Sequence, residues 1–429
     1  MKNYHIILLT FYIISLSSCS GSSVSHEAHV IDVEAAVGTG AIQNASEYIE
    51  EFTYIPLETV PGSLIGTFIR NVLVENGKIY IHNASDIAGR VTIFDMDGRY
   101  ISTLYKNGRG PGEYFSTHDV DITPSGNILV MTRGGEGTFE YDHDFKFIRQ
   151  LRPKEDADAH ILLSGWNYDD IVVLKEGLYA LNAGDIDFKA QTEKRIFIIY
   201  DNSQETHFYE EIIREDKEDE RLYYTRGYIQ YLQDNQLSIY RAETDSIFAI
   251  DFENGYSKSL RYIFNLGKYG PKMSLKDAPS EKEYLKANSN SILIKKILET
   301  NSHIFVEFNF NGFAPEPITT QSRTITRANG MTQTMPSYKD NRVYGIYDKR
   351  EGKVALLNQP IPGMLGLKND LDGGPPIFWP MYITSKKEMI RYYTAMEVVD
   401  MIEQGKVDKD LFGNIRENDN PVIVIAKEK

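Results

Sequence analysis

Val72-Leu73-Val74-Glu75-Asn76-Gly77-Lys78-Ile79-Tyr80-Ile81 is followed by Val91-Thr92-Ile93-Phe94-Asp95-Met96-Asp97-Gly98-Arg99-Tyr100-Ile101. Each stretch is two apolar runs around a turn. Asn76-Gly77 and Asp97-Gly98 supply residues that readily take the positive φ a tight strand connection needs, so each stretch predicts a β-hairpin. The pair recurs at 120–130 and 138–148, where the turns are again rich in Ser, Gly, Asn and Asp. Two hairpins per unit make four strands, the content of a propeller blade.

The spacing supports this. Val72 to Val120 is 48 positions and Val120 to Ile171 is 51, close to the usual blade repeat. A third unit runs from 171–180 to 195–201, and a fourth occupies 228–240 and 246–261. From Phe52 to Asn265 the apolar residues alternate in short runs without a sustained helical stripe.

Beyond that the pattern stretches. Ser274 to Thr300 is rich in Lys, Glu, Leu and Ala, with Leu285, Ile292, Leu293 and Ile297 at helical spacing after Pro279-Ser280, and predicts an inserted helix. Ile304–Phe308 and Arg342–Asp348 predict a fifth blade, with a long mobile loop at 312–337. A sixth unit starts near Leu371 and carries a second helical stretch, Lys386 to Glu403. The expectation is an all-β chain, a six-bladed β-propeller with helical insertions in the later blades. An open ring would leave exposed strand edges, so Phe52–Leu57 and Val422–Ile425, isolated strands at opposite ends, are expected to pair in the last blade.

The N-terminus has Lys2, an apolar run from Ile6 to Leu16, then Leu16-Ser17-Ser18-Cys19. A basic start, a short apolar core and small residues make a signal peptide, and this run is too short to span a bilayer. Cys19, the only cysteine, is the expected lipidation site; that leaves none for a disulfide, a thiolate metal ligand or a thiol nucleophile. The small polar stretch 20–25 reads as a flexible tether. The division expected is therefore signal peptide 1–18, lipid anchor and tether 19–46, and propeller 47–429. A formal charge of -15 without a basic stripe argues against nucleic acid as a partner and leaves the lipid as the membrane link.

Asn107-Gly108-Arg109-Gly110-Pro111-Gly112-Glu113-Tyr114 resembles the inter-blade link of the six-bladed β-propeller lipoproteins of Bacteroidetes, relatives of NHL-repeat and TolB-like propellers. The lipobox, the Tyr-Ile-Pro-Leu-Glu segment at 54–58, Asp372–Pro380 and Asn420–Ile425 extend the resemblance over nearly the whole mature chain. It implies an outer-membrane lipoprotein of the cell envelope, on the periplasmic leaflet or the cell surface, and a binding or scaffolding role. The lack of an acidic run after Cys19 favours the periplasmic leaflet.

No P-loop, zinc-protease helix motif, Gly-x-Ser-x-Gly elbow or Ser-x-x-Lys pair occurs, and the nine His are scattered. The glycines at 108, 110 and 112 lie between a hairpin and a strand, so they predict a tight turn over Tyr114, with Arg109 and Glu113 on the ligand-binding face. Trp166 and Phe378-Trp379, the only tryptophan positions, are further candidate binding residues against a packing role. Asp95/Asp97 and Asp119/Asp121 offer paired carboxylates of the kind calcium uses, yet Asp in hairpin turns is explained by backbone hydrogen bonding. The reading is a non-enzymatic module, with no cofactor and no metal, that binds an envelope protein, peptide or glycan. Its rival is a calcium-type, metal-assisted hydrolase or lactonase in the propeller channel.

Overall fold

The computed structural model describes residues 28–66, 68–84, 89–132, 137–153, 167–187, 192–215, 228–241, 244–273, 283, 286–319, 323–326, 332–335, 337 and 339–429. Five four-stranded sheets and one five-stranded sheet are arranged around a central axis as a six-bladed β-propeller. Blade 1 is Ile69–Glu75, Lys78–Asn83, Arg90–Asp95 and Tyr100–Leu104, the two hairpins of the opening sequence. Asn76 and Gly77 have φ of 50° and 70°, as that connection requires. At Gly98, φ +81°, an added Cβ would also collide with the Pro56 carbonyl of blade 6, so this turn has two reasons for glycine.

Blades 2, 3 and 4 begin with inner strands Thr117–Ile122, Asn167–Lys175 and Tyr228–Gln233, each followed by three consecutive antiparallel strands. Blade 5 uses Leu293–Glu299, His303–Asn309, Arg342–Asp348 and Lys353–Leu356. Blade 6 uses Tyr382–Ile383, Met389–Tyr393 and Val422–Glu428 with Ile49–Pro56 outermost. The expected closure is present: Thr53 pairs with Ile425, Tyr54 with Val424 and Ile55 with Ile423.

Radial sheets bury both faces against their neighbours, and six apolar clusters occupy the six junctions between blades. The junction of blades 6 and 1 holds Ile55, Val72, Ile79, Phe94, Ile390 and Ile423. That of blades 1 and 2 holds Tyr80, Val91, Ile93, Tyr114 and Val120. The energy of the fold is thus divided among interfaces, each worth about 25 cal/mol per Å² of apolar surface removed from water.

Four expectations need correction. Leu293–Glu299 is the inner strand of blade 5, not part of a helix. Its alternation is masked because Lys295 is a bulged residue, skipped between Ile294 and Lys296 in the pairing, and because one edge of the strand faces a polar channel. The second helix is shorter than expected. Met389–Tyr393 is a strand, and the helix is Ala395–Glu403, started by a Thr394/Glu397 capping box. Within 312–337, Arg323–Thr326 pairs with Thr332–Met335, nested in the blade 5 hairpin beyond an Ile318–Thr319/Lys339–Asp340 ladder. The folded part also starts before residue 47: His29–Asp32 adds a parallel fifth strand to blade 4, and Ala41 bridges Leu357 of blade 5. A parallel edge pairing with only Ile31 buried leaves no alternation to read in the sequence.

Candidate functional site

The inner strands of all six blades enclose a central channel of about 1200 Å³. Arg70, His118 and Lys295 line it, and each is skipped in its strand's pairing register. A bulge leaves its residue without a cross-strand partner and re-aims its side chain. Blades 1, 2 and 5 therefore repeat one backbone device with a different polar side chain each time.

The innermost strand of a blade has an edge with no strand beside it, so its N–H and C=O groups need other partners. Side chains of the preceding blade supply them. Asn71 Nδ2 of blade 1 donates to Asp119 Oδ1 at 3.4 Å and to the Val120 carbonyl at 3.5 Å in blade 2. In blade 2, Asp119 and Asp121 accept from the Ile171 and Val173 N–H groups of blade 3 at 3.1 and 2.7 Å. Lys296 Nζ of blade 5 donates to the Met381 carbonyl at 2.5 Å, and Tyr382 of blade 6 returns the tie to the Arg70 carbonyl at 3.2 Å. Burial drives the two carboxyls upward despite these bonds: Asp121 to about 7, and Asp119, which also faces Asp170, well above the ordinary carboxylate range.

One mouth of the channel is crossed by the 384–387 turn. Ser385 Oγ donates to Glu75 Oε2 of blade 1 at 2.8 Å. Lys387, at φ 66°, passes blade 5 to donate to the Leu232 carbonyl of blade 4 at 2.6 Å, and burial holds its ammonium pKa below the usual value. At the end of the inner strand of blade 5, Glu299 is fully buried between Arg261 of blade 4 at 2.7 Å and Lys349 at 2.6 Å. These cations hold its carboxyl below the ordinary range against the opposing effect of burial.

Of the residues singled out in the sequence, Asp119 and Asp121 line the channel and the others described lie elsewhere. Gly108–Gly112 is the expected tight inter-blade turn: Glu113 Oε2 accepts the Gly110 N–H at 2.8 Å, and Tyr114 is buried against Phe139 and Tyr141. Arg109 is exposed, with its guanidinium 5.0 Å above the Phe115 ring. Phe378 and Trp379 are buried; Trp379 stacks on Tyr344 at 4.1 Å, so both pack the junction of blades 5 and 6. None of these lines the channel. Cys19 and Trp166 lie outside the described residues. Asp95 accepts the N–H groups of Asp97 and Arg99 in its hairpin turn. Among the described residues, no group of three His, Cys, Asp or Glu side chains is placed to hold a metal ion. The channel residues missed were polar ones interrupting inner strands, Arg70-Asn71, His118 and Lys295-Lys296, and the Lys386-Lys387 pair of the turn that follows the inner strand of blade 6; Asp119 and Asp121, singled out as paired carboxylates, do line the channel. Polar pairs in otherwise apolar strands were the available signal.

A crystal structure from Bacteroides fragilis NCTC 9343, named as a candidate exported protein, superposes with a TM-score of 0.63 at 15% identity, covering 94% of this chain and 100% of that one. A member of the DUF4221 family from Bacteroides vulgatus gives a TM-score of 0.47 at 12% identity, covering 89% and 97%. At such identities the first likeness speaks for the fold alone. No curated protein matches the chain. The family model of the domain of unknown function DUF4934 matches residues 28–427, and the chain belongs to that family.

Proposed function

We propose that this chain is an exported, lipid-anchored propeller of the cell envelope that binds a ligand at its central channel and performs no chemistry on it. The observation that carries the reading is the channel itself: about 1200 Å³, bounded by every blade and lined by charged side chains over apolar strand backbones. That volume suits a small molecule or a few residues of a chain. The 384–387 turn crosses one mouth, so a ligand would enter from the opposite face, where the loops between blades lie. Loops on a rigid scaffold can vary while the strands hold their positions. The signal peptide and the lipobox ending at Cys19 support the location.

A panel of short peptides and oligosaccharides, screened by thermal shift, should yield a ligand whose stabilisation is abolished by Lys295→Trp, at an exposed position on the channel wall, and kept by Val30→Trp on the outer edge. Turnover of that ligand, or indifference to the channel substitution, would reject the reading. Separately, Cys19→Ala should move the protein from membranes to the soluble fraction, because acyl chains supply the partitioning energy; retention would reject the anchor.

A further inference from the structure

The inner strands run in one direction around the ring, and the 384–387 turn lies at the mouth where they end. It follows Ile383, its Ser385 reaches Glu75, the last residue of the blade 1 strand, and its Lys387 reaches Leu232 near the end of the blade 4 strand. Position along a strand therefore gives depth in the channel, and the two depths differ in kind. Arg70 and His118 are the second residues of their strands and Lys295 is the third, so the open mouth is basic. Leu73, Val172, Leu232, Leu298 and Ile383 fall in the second halves of theirs. All five are half-buried and line the channel, so five of the six blades put apolar side chains on its deeper wall.

The cations of the channel are not equally available. Arg70 Nη1 lies 3.4 Å from His118 Nδ1, Lys296 and Lys387 donate to the Met381 and Leu232 carbonyls, and Lys386 sits on the turn beside Glu75. Lys295 has neither a hydrogen bond nor an ion pair among the described residues, and it is exposed where a bulge turns it out of the strand's pairing. The scaffold makes no use of this charge. Across the lumen, Asp119 and Asp121 accept from the Ile171 and Val173 N–H groups, and burial opposes their ionisation, which reduces the repulsion that an anion would meet there.

We propose that the channel takes an amphipathic organic carboxylate, whose anionic head meets the Lys295 ammonium near the open mouth while its apolar body lies deeper, against Leu73, Val172, Leu232, Leu298 and Ile383. The inference rests on the reading of the channel as a ligand site and supplies the ligand's chemical class. Two features of the wall argue for it together. An ammonium with no partner in the fold gives a carboxylate a charge-assisted hydrogen bond without breaking an existing one, and apolar side chains below it gain by losing water to an apolar body. A purely polar ligand would leave the deep wall wet, and a purely apolar one would desolvate Lys295 without pairing it.

The test titrates the full chain carrying Cys19→Ala, which keeps detergent and lipid out of the titration, with octanoate, decanoate and dodecanoate by calorimetry below their micelle concentrations. Saturable binding is expected, tightening by about threefold to fourfold for each added methylene. Decanol and decylammonium should bind at least about tenfold more weakly than decanoate. Lys295→Met should weaken decanoate about tenfold and leave decanol unchanged, Lys295→Arg should keep decanoate binding, and Lys295→Trp should block both ligands. No binding of any carboxylate, decylammonium binding as tightly as decanoate, affinity indifferent to chain length, or decanoate binding that survives Lys295→Met unchanged would each overturn the proposal. A peptide or oligosaccharide that binds and is blocked by Lys295→Trp, while no alkyl carboxylate binds, would leave the channel reading standing and remove this one alone.

Discussion

Blades 1 to 3 and blades 5 to 6 meet the same difficulty, an inner strand with a free edge, using opposite chemistry. In the first half amide and carboxyl side chains reach the backbone of the next blade: Asn71 to Val120, Asp119 to Ile171, Asp121 to Val173. In the second half lysines reach backbone carbonyls instead, Lys296 to Met381 of the next blade and Lys387, past blade 5, to Leu232 of blade 4. Carboxyls satisfy N–H donors and ammonium groups satisfy carbonyls, so either serves the scaffold. The consequence differs. The acidic wall carries carboxyls whose ionisation burial opposes, whereas on the lysine wall burial holds the Lys387 ammonium below its usual pKa.

The halves differ also in how the chain builds them. Blades 1 to 4 each take four consecutive strands, while blade 6 takes three from the C-terminal region and one from the N-terminal region. Removing residues 420–429 should therefore have the largest effect, since it deletes the strand between Met389–Tyr393 and Ile49–Pro56 and opens the ring. The truncated protein should aggregate or melt far earlier. Deleting 28–32, which removes only the added outer strand of blade 4, should cost much less. Equal melting temperatures for the two truncations would break the contrast.

Next in size is Glu299→Ala at the end of the inner strand of blade 5. It strands Arg261 and Lys349 beside a buried site, and breaking a buried pair from one side typically costs about 3–5 kcal/mol. Asp121→Asn, whose carbonyl oxygen can still accept the Val173 N–H, should cost under about 1 kcal/mol near neutral pH. Urea denaturation of the two variants measures the difference; similar losses would show that the two halves are not held by unlike means.

The regular half was also the legible one. Asn76-Gly77 and Asp97-Gly98 announce turns because their backbone angles demand it, and apolar alternation between them fixes the strands. Closure was legible for a different reason: a ring needs its ends paired, and Tyr54 and Val424 sit in unclaimed β runs. In the other half a bulge at Lys295 and a two-residue inner strand, Tyr382–Ile383, erase period two, so Leu293–Glu299 and Met389–Tyr393 passed for helix. The site was less legible than the fold. Phe378 and Trp379 look like binding residues in one dimension, but their rings are used up in packing blades 5 and 6. Channel residues come one or two from each blade, and only the closed ring brings them together. Arg109 remained exposed over the Phe115 ring, outside the channel lining.

A further contrast is the pH dependence that separates the two walls. Asp121 moves from an ordinary value of 3.8 to about 7 on folding, with burial as the main cause. Between those values the folded chain keeps a proton that the unfolded chain has released, so stability falls as pH rises, by at most about 1.4 kcal/mol per unit for each such group. Asp119 acts in the same direction. Glu299 acts oppositely: its depressed value makes its contribution present above the ordinary glutamate range and lost on acidification below it. Stability should therefore peak in mild acid and decline toward pH 8. Asp121→Asn should flatten that decline, while Lys296→Met, on the other wall, should leave its slope unchanged. A melting temperature that rises or stays level from pH 5 to 8 would contradict the assignment. Chelation tests the same carboxyls in another way. A divalent cation seated on Asp119 and Asp121 would hold them ionised and stabilise the fold, so its removal would lower the melting temperature. Carboxyls already bonded to the Ile171 and Val173 N–H groups, and tending to keep their protons, have no such need, and EDTA should leave melting unchanged. A drop of several degrees, reversed by calcium and reduced in Asp121→Asn, would instead favour a channel metal site and a hydrolytic function.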